Sequence, residues 1–164
     1  MNNTMEIRPA TVSDLDAVMA IYDYARQRMA ESGNPSQWID GYPSREVILA
    51  DIDAGNSYVI VSDGSISGVF TFIVGDDPSY AEIDGAWPDN SPYGTIHRIA
   101  AAPGVKGLAD KCLDYCLTKG VNIRIDTHAD NAPMLGWIAK RGFLYCGIIR
   151  VANGTPRRAF QLSL

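Results

Sequence analysis

Hydrophobic and polar positions along the chain follow two periods, the alternation of two typical of strands and the spacing of three to four typical of helices. In the first half these patterns predict a strand, two helices and a two-stranded hairpin, at residues 5–8, 13–33, 44–54, 58–61 and 66–74. Ser13 and Ser44 are the predicted N-caps, because a serine hydroxyl accepts a hydrogen bond from an unpaired N–H of the first turn. The Asp63-Gly64 pair favours a tight hairpin turn.

In the second half the patterns alternate between strand and helix. The predicted elements are strand 95–101, helix 107–119, strand 121–125, helix 131–141 and strands 143–151 and 157–162. Asn153-Gly154 predicts a type I′ turn between the last two strands. The order β-α-α-β-β-β-α-β-α-β-β requires a parallel pair joined by a crossover helix beside antiparallel hairpins. We therefore expect a single α/β domain over residues 1–164, with a mixed, mostly antiparallel central sheet flanked by helices.

Composition and charge narrow the classes of function. The chain has 164 residues, of which 46% are hydrophobic and 20% charged, the balance of one globular domain. Its net charge of -5 argues against nucleic acid as a partner. No apolar run approaches the ~20 residues of a membrane-spanning helix, so no membrane partner is expected. Residues 1–6 lack the basic region and apolar core of an export signal, which predicts a cytoplasmic protein.

The three cysteines, Cys112, Cys116 and Cys146, are odd in number and form no C-x-x-C pair. They are predicted to be buried free thiols. With two histidines in the chain, His97 and His128, no metal site is expected.

Charge is distributed unevenly. Residues 31–92 contain eleven acidic residues and one basic residue, a net charge of -10, whereas residues 95–124 contain five basic and two acidic residues, a net charge of +3. The first segment suits a cation and the second an anion, although solvated surface is the better explanation of any single charge. Trp38 and Trp87 lie in the acidic segment, and aromatic rings among acids suit a cationic substrate; packing in the core is the alternative.

The loop at residues 103–109 lies between a predicted strand and a predicted helix. This arrangement directs unpaired backbone N–H groups toward the space above the start of the helix, where the helix dipole favours an anion. Gly104 and Gly107 leave room for a bulky phosphate to approach the backbone. The loop matches neither a Walker motif nor G-x-G-x-x-G.

This loop and the order of elements resemble the GCN5-related N-acetyltransferase (GNAT) family. The pyrophosphate loop of that family reads Gln/Arg-x-x-Gly-x-Gly/Ala. Residues 104–109 match it at Gly107 and Ala109, and depart from it at Gly104, where a phosphate-facing side chain is missing and Lys106 is a candidate to compensate. Asn131 followed by Gly142-Phe143 fits a second family spacing, so the resemblance extends over nearly the whole chain.

The resemblance implies acetyl-CoA as a co-substrate. Backbone groups of Ile99 and Ala100 would pair with the pantetheine arm, and the Ala100 amide would bind the oxyanion. Asn131 would reach the pantetheine or the phosphates. The residues expected to hold the pyrophosphate are Val105, Lys106, Gly107, Leu108 and Ala109.

The chemistry implied is the transfer of an acetyl group to an amine, which must lose a proton before it attacks. His97 is the candidate base, lying two residues before Ile99 and hence expected on the same face of the strand; a structural histidine is the alternative. Glu82 and Asp84 in the acidic loop are rival bases, although their position favours contacts with the substrate. The tyrosine that the family uses as an acid is replaced here by Ile138. Tyr145 or Tyr93 would then serve, or the thiolate would leave unaided.

The expected activity is therefore acetyl transfer from acetyl-CoA to a primary amine of a small molecule or peptide, by direct attack in a ternary complex. Trp38, Trp87 and His128 are the expected substrate contacts. The alternatives are a non-catalytic acyl-CoA-binding or interaction module on the same fold and, from another class, a hydrolase that uses His97 without CoA. A homodimer through strand edges and the C-terminal hairpin is left open.

Overall fold

The computed structural model describes residues 5–164, so the prediction about the amino terminus falls mainly on residues outside that range. The strands are β1 (Met5–Pro9), β2 (Ser57–Ser62), β3 (Ser65–Val74), β4 (Asp84–Gly85), β5 (Tyr93–Ala101), β6 (Asn122–Thr127), β7 (Leu144–Arg150) and β8 (Pro156–Leu162). The helices are α1 (Leu15–Glu31), α2 (Arg45–Asp53), α3 (Leu108–Leu117) and α4 (Ala132–Lys140). The predicted order is confirmed, apart from the two-residue strand β4 inside the long loop.

The strands form one sheet in the order β1-β2-β3-β5-β6-β8-β7-β4. Within it the β5–β6 pair is parallel and the other pairs are antiparallel. Helix α3 is the connection that the parallel pair requires, because the chain must return to the starting edge before the next strand can run in the same direction. The mixed, mostly antiparallel sheet expected from the sequence is confirmed.

Two tight turns were predicted, and one is confirmed. Asp63 and Gly64 take φ angles of 51° and 77°, as a type I′ hairpin requires. A type I′ turn needs a positive φ at both central residues. Gly154 has a φ of 82°, but the φ of Asn153 is not positive, so the predicted type I′ turn there is wrong. The Asn153 side chain accepts a hydrogen bond from the Thr155 N–H at 3.0 Å, which stabilises a wider loop between β7 and β8.

Helix α1 begins later than predicted. Ser13 lies in a 3-10 turn over Val12–Asp14, and the carboxylate of Asp14 rather than the Ser13 hydroxyl accepts the Thr11 N–H at 2.8 Å. Arg8 of β1 forms two hydrogen bonds to the same carboxylate, at 2.8 and 2.9 Å. Ser44 is the N-cap of α2 as predicted, its hydroxyl accepting the Val47 N–H at 3.2 Å.

Stability should depend on pH through Asp14. The hydrogen bonds from Arg8, followed by those from Thr11, outweigh burial and hold the pKa of Asp14 at about 2, below its usual 3.8. A lowered pKa stabilises the fold above the unfolded pKa, and that stabilisation is lost as the pH falls through the folded value. We expect Asp14→Asn to lower the free energy of unfolding by about 2 kcal/mol at pH 6, and the difference from wild type to narrow between pH 4 and about 2.

Urea unfolding of both proteins across this pH range measures the difference. Asp16→Asn is the matched control, because Asp16 lies two residues further along, in the first turn of α1, and its side chain is 90% exposed. A difference between Asp14→Asn and wild type that stays constant down to pH 2 would contradict the assignment.

The sheet carries a hydrophobic core on each face. On one face α3 and α4 pack on the strands, with Leu113 and Ile138 fully buried. On the other face α1 and α2 pack, with Tyr22 and Ile48 fully buried. Gly68 of β3 allows the start of α3 to approach the sheet, because a Cβ there would lie 1.9 Å from the Leu108 side chain.

The three cysteines are buried free thiols, as predicted. Within residues 5–164 no helix is long and apolar enough to cross a membrane. The same residues contain no cluster of three or more His, Cys, Asp or Glu side chains able to hold a metal ion.

Candidate functional site

Strands β5 and β6 separate near the middle of the sheet. They pair over three positions, from Tyr93 opposite Asn122 to Thr95 opposite Arg124. Beyond Thr95 the strands diverge, and backbone groups of β5 on that edge lose their sheet partner. The gap is therefore a place where another extended group can add hydrogen bonds to β5.

A bulge in β5 marks this divergence. Arg98 and Ile99 together stand opposite Phe70 of β3, because His97 pairs with Thr71 and Ala100 with Val69. Arg98 takes a φ of 48°, in the left-handed region that non-glycine residues rarely adopt. An extra residue reverses the alternation of side chains between the two faces.

The bulge overturns the expectation that His97 and Ile99 share a face. Ile99 packs against the core beneath α3, whereas Ala100 packs in the core beneath α1 and α2. His97 shares the face of Ala100, since their partners Thr71 and Val69 are two residues apart on β3. The spacing rule fails here because it assumes a regular strand.

The register also decides which amides are free. The Ala102 N–H donates to the Ser67 carbonyl at 2.9 Å. Hydrogen-bonded and non-hydrogen-bonded pairs alternate along an antiparallel ladder, so the N–H of Ala100 faces Val69 of β3. The register thus argues against Ala100 as an oxyanion donor. It directs the Ile99 carbonyl, the other end of the same trans peptide group, toward the gap.

A cavity of about 670 Å³ opens beside the gap. It lies between the α1–α2 loop, the carboxyl ends of β5 and β6, the loop after β3 and the β7–β8 loop. The side chains on its walls that can take part in chemistry include Trp38, Asp77, His97, Arg98, Asp126 and Arg157. The predicted contacts His97, Ile99, Trp38 and Asn131 line this cavity.

His97 and Asp77 form a hydrogen-bonded pair on one wall. The Nε2 atom of His97 lies 2.7 Å from the Asp77 carboxylate, which also accepts the Ser79 N–H at 2.9 Å. Burial acts to raise the pKa of Asp77, but the hydrogen bond and charge of His97 outweigh it and leave that pKa below its usual value. An ionised Asp77 places the ring proton on Nε2 and leaves Nδ1 as the basic nitrogen.

Asp126 is a second carboxyl group in the cavity. It lies near the end of β6 and accepts a 2.6 Å hydrogen bond from the Tyr80 hydroxyl. Burial raises its pKa, and the positive field of His97 and the bond from Tyr80 offset only part of this effect. The cavity therefore holds two carboxyl groups with opposite shifts in pKa.

The bulge itself is held by a buried ion pair. Arg98 donates two hydrogen bonds to Asp51 of α2, both at 2.8 Å, and a third to the Tyr42 hydroxyl at 2.9 Å. The Arg98 carbonyl accepts the Tyr22 hydroxyl at 2.6 Å. These hydrogen bonds hold the bulge of β5 against α1, α2 and the loop between them. They therefore stabilise this wall of the cavity.

Gln37 connects the α1–α2 loop to the end of β6. Its side-chain oxygen accepts hydrogen bonds from Asn131 at 3.1 Å and from Thr127 at 3.2 Å. Asn131 also caps α4 by accepting the Met134 N–H at 3.3 Å. The structure thus gives Asn131 a structural role at the cavity wall, since both ends of its amide have protein partners.

Four of the predicted catalytic and substrate-binding residues lie away from the cavity lining: Glu82, Trp87, His128 and Tyr145. Glu82 is exposed on its loop. The Trp87 ring covers the Arg124 guanidinium at 3.9 Å, and its N–H donates to the Tyr80 carbonyl. These two expectations fail because the short strand β4 pairs with β7 and fixes which loop residues turn inward.

His128 and Tyr145 are also placed elsewhere. The Nδ1 atom of His128 accepts the Asp130 N–H at 3.0 Å, so the ring faces its own loop. Tyr145 is 52% exposed and packs against Phe160, on the face of the sheet away from the cavity. Neither side chain reaches His97.

The loop expected to bind an anion has the predicted form. Gly107 takes a φ of 75° and precedes α3 without any side chain capping the helix. The backbone N–H groups of residues 106–110 have no hydrogen-bond acceptor within the described part of the chain. Lys106 is exposed beside them. Such a terminus can satisfy several phosphate oxygens at once.

Ile138 is fully buried in the core beneath α4. Its side chain has no proton to offer to a leaving thiolate. In the cavity lining, the Tyr42 hydroxyl contacts the bulge by accepting a hydrogen bond from Arg98 at 2.9 Å.

Sequence reasoning missed the roles of Asp77, Arg98, Asp126 and Arg157. Asp126 could have been found, because it ends a strand of the predicted parallel pair, and the carboxyl ends of adjacent parallel strands meet at one edge. Nothing in the sequence marks Arg98 as the residue with a positive φ.

The chain is similar to solved structures over its whole length. A GNAT-family acetyltransferase from Streptococcus agalactiae is 34% identical, with 99% of each chain covered and a TM-score of 0.86. A GNAT-family acetyltransferase from Listeria monocytogenes is 17% identical, with 100% of this chain and 99% of the other covered and a TM-score of 0.74. No protein-family model matches the chain, and no curated protein matches it.

N-acetylglutamate synthase from Neisseria gonorrhoeae, solved with coenzyme A and N-acetyl-glutamate, has the same fold. It is 18% identical, with a TM-score of 0.64, and the match covers 100% of this chain and 36% of that one. At this identity the likeness concerns the fold.

Proposed function

The chain belongs to the GNAT family of acetyltransferases, and from that premise we propose that it transfers an acetyl group from acetyl-CoA to a primary amine, by direct attack in a ternary complex. The observation that carries the proposal is the gap between β5 and β6, with the uncapped start of α3 at one end and the His97–Asp77 pair at the other. A thioester and an amine could meet in this gap from opposite sides.

The residues present fit acetyl-CoA at two places. The free N–H groups of residues 106–110, with the charge of Lys106 beside them, would hold the diphosphate. The edge of β5 at Ile99 and Ala101 would pair with the amides of the pantetheine arm, since β6 has diverged there. Gly104 supplies no side chain to the phosphates, so this protein would rely on backbone groups and Lys106. Acetyl-CoA supplies the activated acyl group.

His97 is the proposed general base. An amine with a pKa of about 10.4 is mostly protonated at neutral pH and cannot attack until it loses that proton. Nδ1 of His97 would take the proton directly or through water, while Asp77 holds the ring in the required tautomer. Asp126 lies on the same face and would help to hold the cationic amine before proton transfer.

The developing oxyanion would be stabilised by a backbone N–H of the bulge in β5, for which Ile99 is our candidate. A thiol with a pKa of about 8.5 can leave as the thiolate at modest cost. The Tyr42 hydroxyl is the proposed donor if a proton is supplied. No cysteine takes part, because Cys112, Cys116 and Cys146 are buried away from the cavity lining.

Turnover of acetyl-CoA with a panel of primary amines tests the proposal, with free CoA measured against time. Saturable turnover with at least one amine, together with a rise in melting temperature on adding CoA, is the expected result. CoA binding without turnover on any amine would favour the non-catalytic acyl-CoA-binding module. Hydrolysis of esters without any effect of CoA would favour the hydrolase.

We expect Lys106→Glu to raise the KM for acetyl-CoA about tenfold, since a carboxylate beside the free N–H groups repels the diphosphate. The same variant should leave the KM for an acetyl-pantetheine thioester unchanged, because that donor has no diphosphate. Lys119→Glu, just beyond the other end of α3, is the matched control. An equal loss with both donors would show that the change acts on folding rather than on phosphate binding.

A further inference from the structure

Arg157 is a buried cation on the cavity wall that lacks an acidic partner. It is 5% exposed, and its Nη1 and Nη2 atoms donate to the carbonyls of Pro156 at 3.2 Å and Gln37 at 3.0 Å. No carboxylate of residues 5–164 lies within 4.0 Å of its guanidinium. The remaining N–H donors, including Nε, have no partner in the same residues. Two neutral carbonyls satisfy only part of a guanidinium.

The other two well-buried arginines contact protein groups that stabilise their positive charge. Arg98 has its two bonds to Asp51. Arg124 lies between the rings of Trp87 and Tyr93, at 3.9 and 3.8 Å, and donates to Gln161. Arg157 differs from both, because its free donors border a cavity rather than a packed interior.

The cavity also separates positive and negative groups in a way that suits a zwitterion. Asp126 pairs with Ala159 of β8, two residues from Arg157, so the side chains of Asp126 and Arg157 lie on the same face of the sheet. It influences Arg157 electrostatically but stays beyond ion-pair distance. The His97–Asp77 pair lies across the cavity on β5 and the loop after β3. An amine would lie between the two carboxyl groups while an anionic group reaches Arg157.

We propose that the acceptor carries a carboxylate, and that Arg157 binds it through a forked pair of hydrogen bonds. The substrate class is then amino acids and other amines bearing a carboxylate within a few bonds of the amino group. This inference rests on the proposed acetyl transfer and specifies its acceptor. A guanidinium matches the planar carboxylate with two parallel N–H donors, which a lysine cannot do.

Matched pairs of acceptors test the inference. For each of several amino acids and the corresponding amino acid amides, kcat/KM is measured with saturating acetyl-CoA in wild type, Arg157→Gln and Arg157→Lys. Wild type should prefer the acids at least tenfold. Arg157→Gln should raise the KM for acids about 10- to 100-fold and leave the KM for amides unchanged, and Arg157→Lys should lie between. Arg158→Gln is the matched control, because Arg158 is the next residue on β8 and is exposed on the opposite face.

A binding measurement separates this inference from the proposed reaction. Calorimetric titration of the same acids and amides into the protein saturated with CoA reports carboxylate recognition without turnover, and Arg157→Lys serves if Arg157→Gln does not fold. Tighter binding of acids than of amides supports the inference, whether or not any amine is acetylated. Absence of acetylation would overturn only the proposed acetyl transfer. Two results would overturn the carboxylate inference: wild type that binds acids no more tightly than amides, or an Arg157→Gln variant that loses equal affinity for acids and amides. Arg157 would then act only as a counter-charge to Asp126.

Discussion

Replacing His97 with glutamine should lower kcat/KM for the amine acceptor by about 10²- to 10³-fold, the usual size of a general-base contribution. The affinity for CoA should stay unchanged, because His97 lies across the gap from the start of α3. Any dependence of the wild-type rate on pH that comes from the base should disappear in the variant. Steady-state kinetics from pH 5 to 9, with melting temperatures to confirm folding, provide the measurement.

Two further variants make the test specific. Asp77→Asn should reduce the rate about 10²-fold, because an amide can donate to Nε2 and so shift the ring proton to Nδ1, the atom that must accept. His128→Gln should change the rate by less than about twofold, since that ring is bonded to the loop at Asp130. A His97→Gln enzyme that keeps both its rate and its pH dependence would assign the role of base to Asp126 instead.

Replacing Arg98 with methionine should lower the free energy of unfolding by about 3–5 kcal/mol, because the Asp51 carboxylate would remain buried without its guanidinium. The Thr71 hydroxyl, at 3.0 Å from Asp51, would be left as its side-chain hydrogen-bond partner. Urea unfolding at pH 7 gives this free energy. The bulge should also relax, because the bonds from Arg98 to α2 and Tyr42 would be lost.

A double-mutant cycle measures the interaction free energy of the Arg98–Asp51 pair, separately from the effect of losing the arginine alone. Arg98→Met combined with Asp51→Leu should recover a large part of the lost stability, since an apolar pair of similar volume carries no desolvation cost. Arg45→Met is the control, because its pair with Asp16 is exposed and should contribute less than about 1 kcal/mol. An Arg98→Met variant no less stable than Arg45→Met would contradict a stabilising role for the buried pair.

Features set by short stretches of chain were predictable. The start of α3 after Gly107 and the cap of α2 at Ser44 each depend on residues within one helical turn. The contacts that produce them are therefore local and can be predicted from the sequence. The same holds for the Asp63-Gly64 hairpin. Asn153-Gly154 shows the limit of such rules, because an Asn side chain can hydrogen-bond its own loop and favour a different turn.

Site residues on loops were predictable as a region but not individually. The acidic loop after β3 does supply a cavity carboxylate, but it is Asp77 rather than Glu82. Which side of the loop faces inward is set by the pairing of β4 with β7, where Gly85 and Gly147 allow the two backbones to approach closely. A two-residue strand leaves no periodic pattern, so sequence reasoning had no signal for it.

The amino-acid sequence by itself determined the order of the elements, the mixed sheet and the uncapped start of α3, because periodicity, caps and glycines act over a few neighbouring residues. The tertiary structure alone decided which groups meet in the cavity. Asp51 and Arg98 are 47 residues apart, and Gln37 and Arg157 are 120 apart, yet each pair is in contact. Contacts over such separations depend on how strands diverge and where a strand bulges, and both result from packing of the whole sheet rather than from any local pattern.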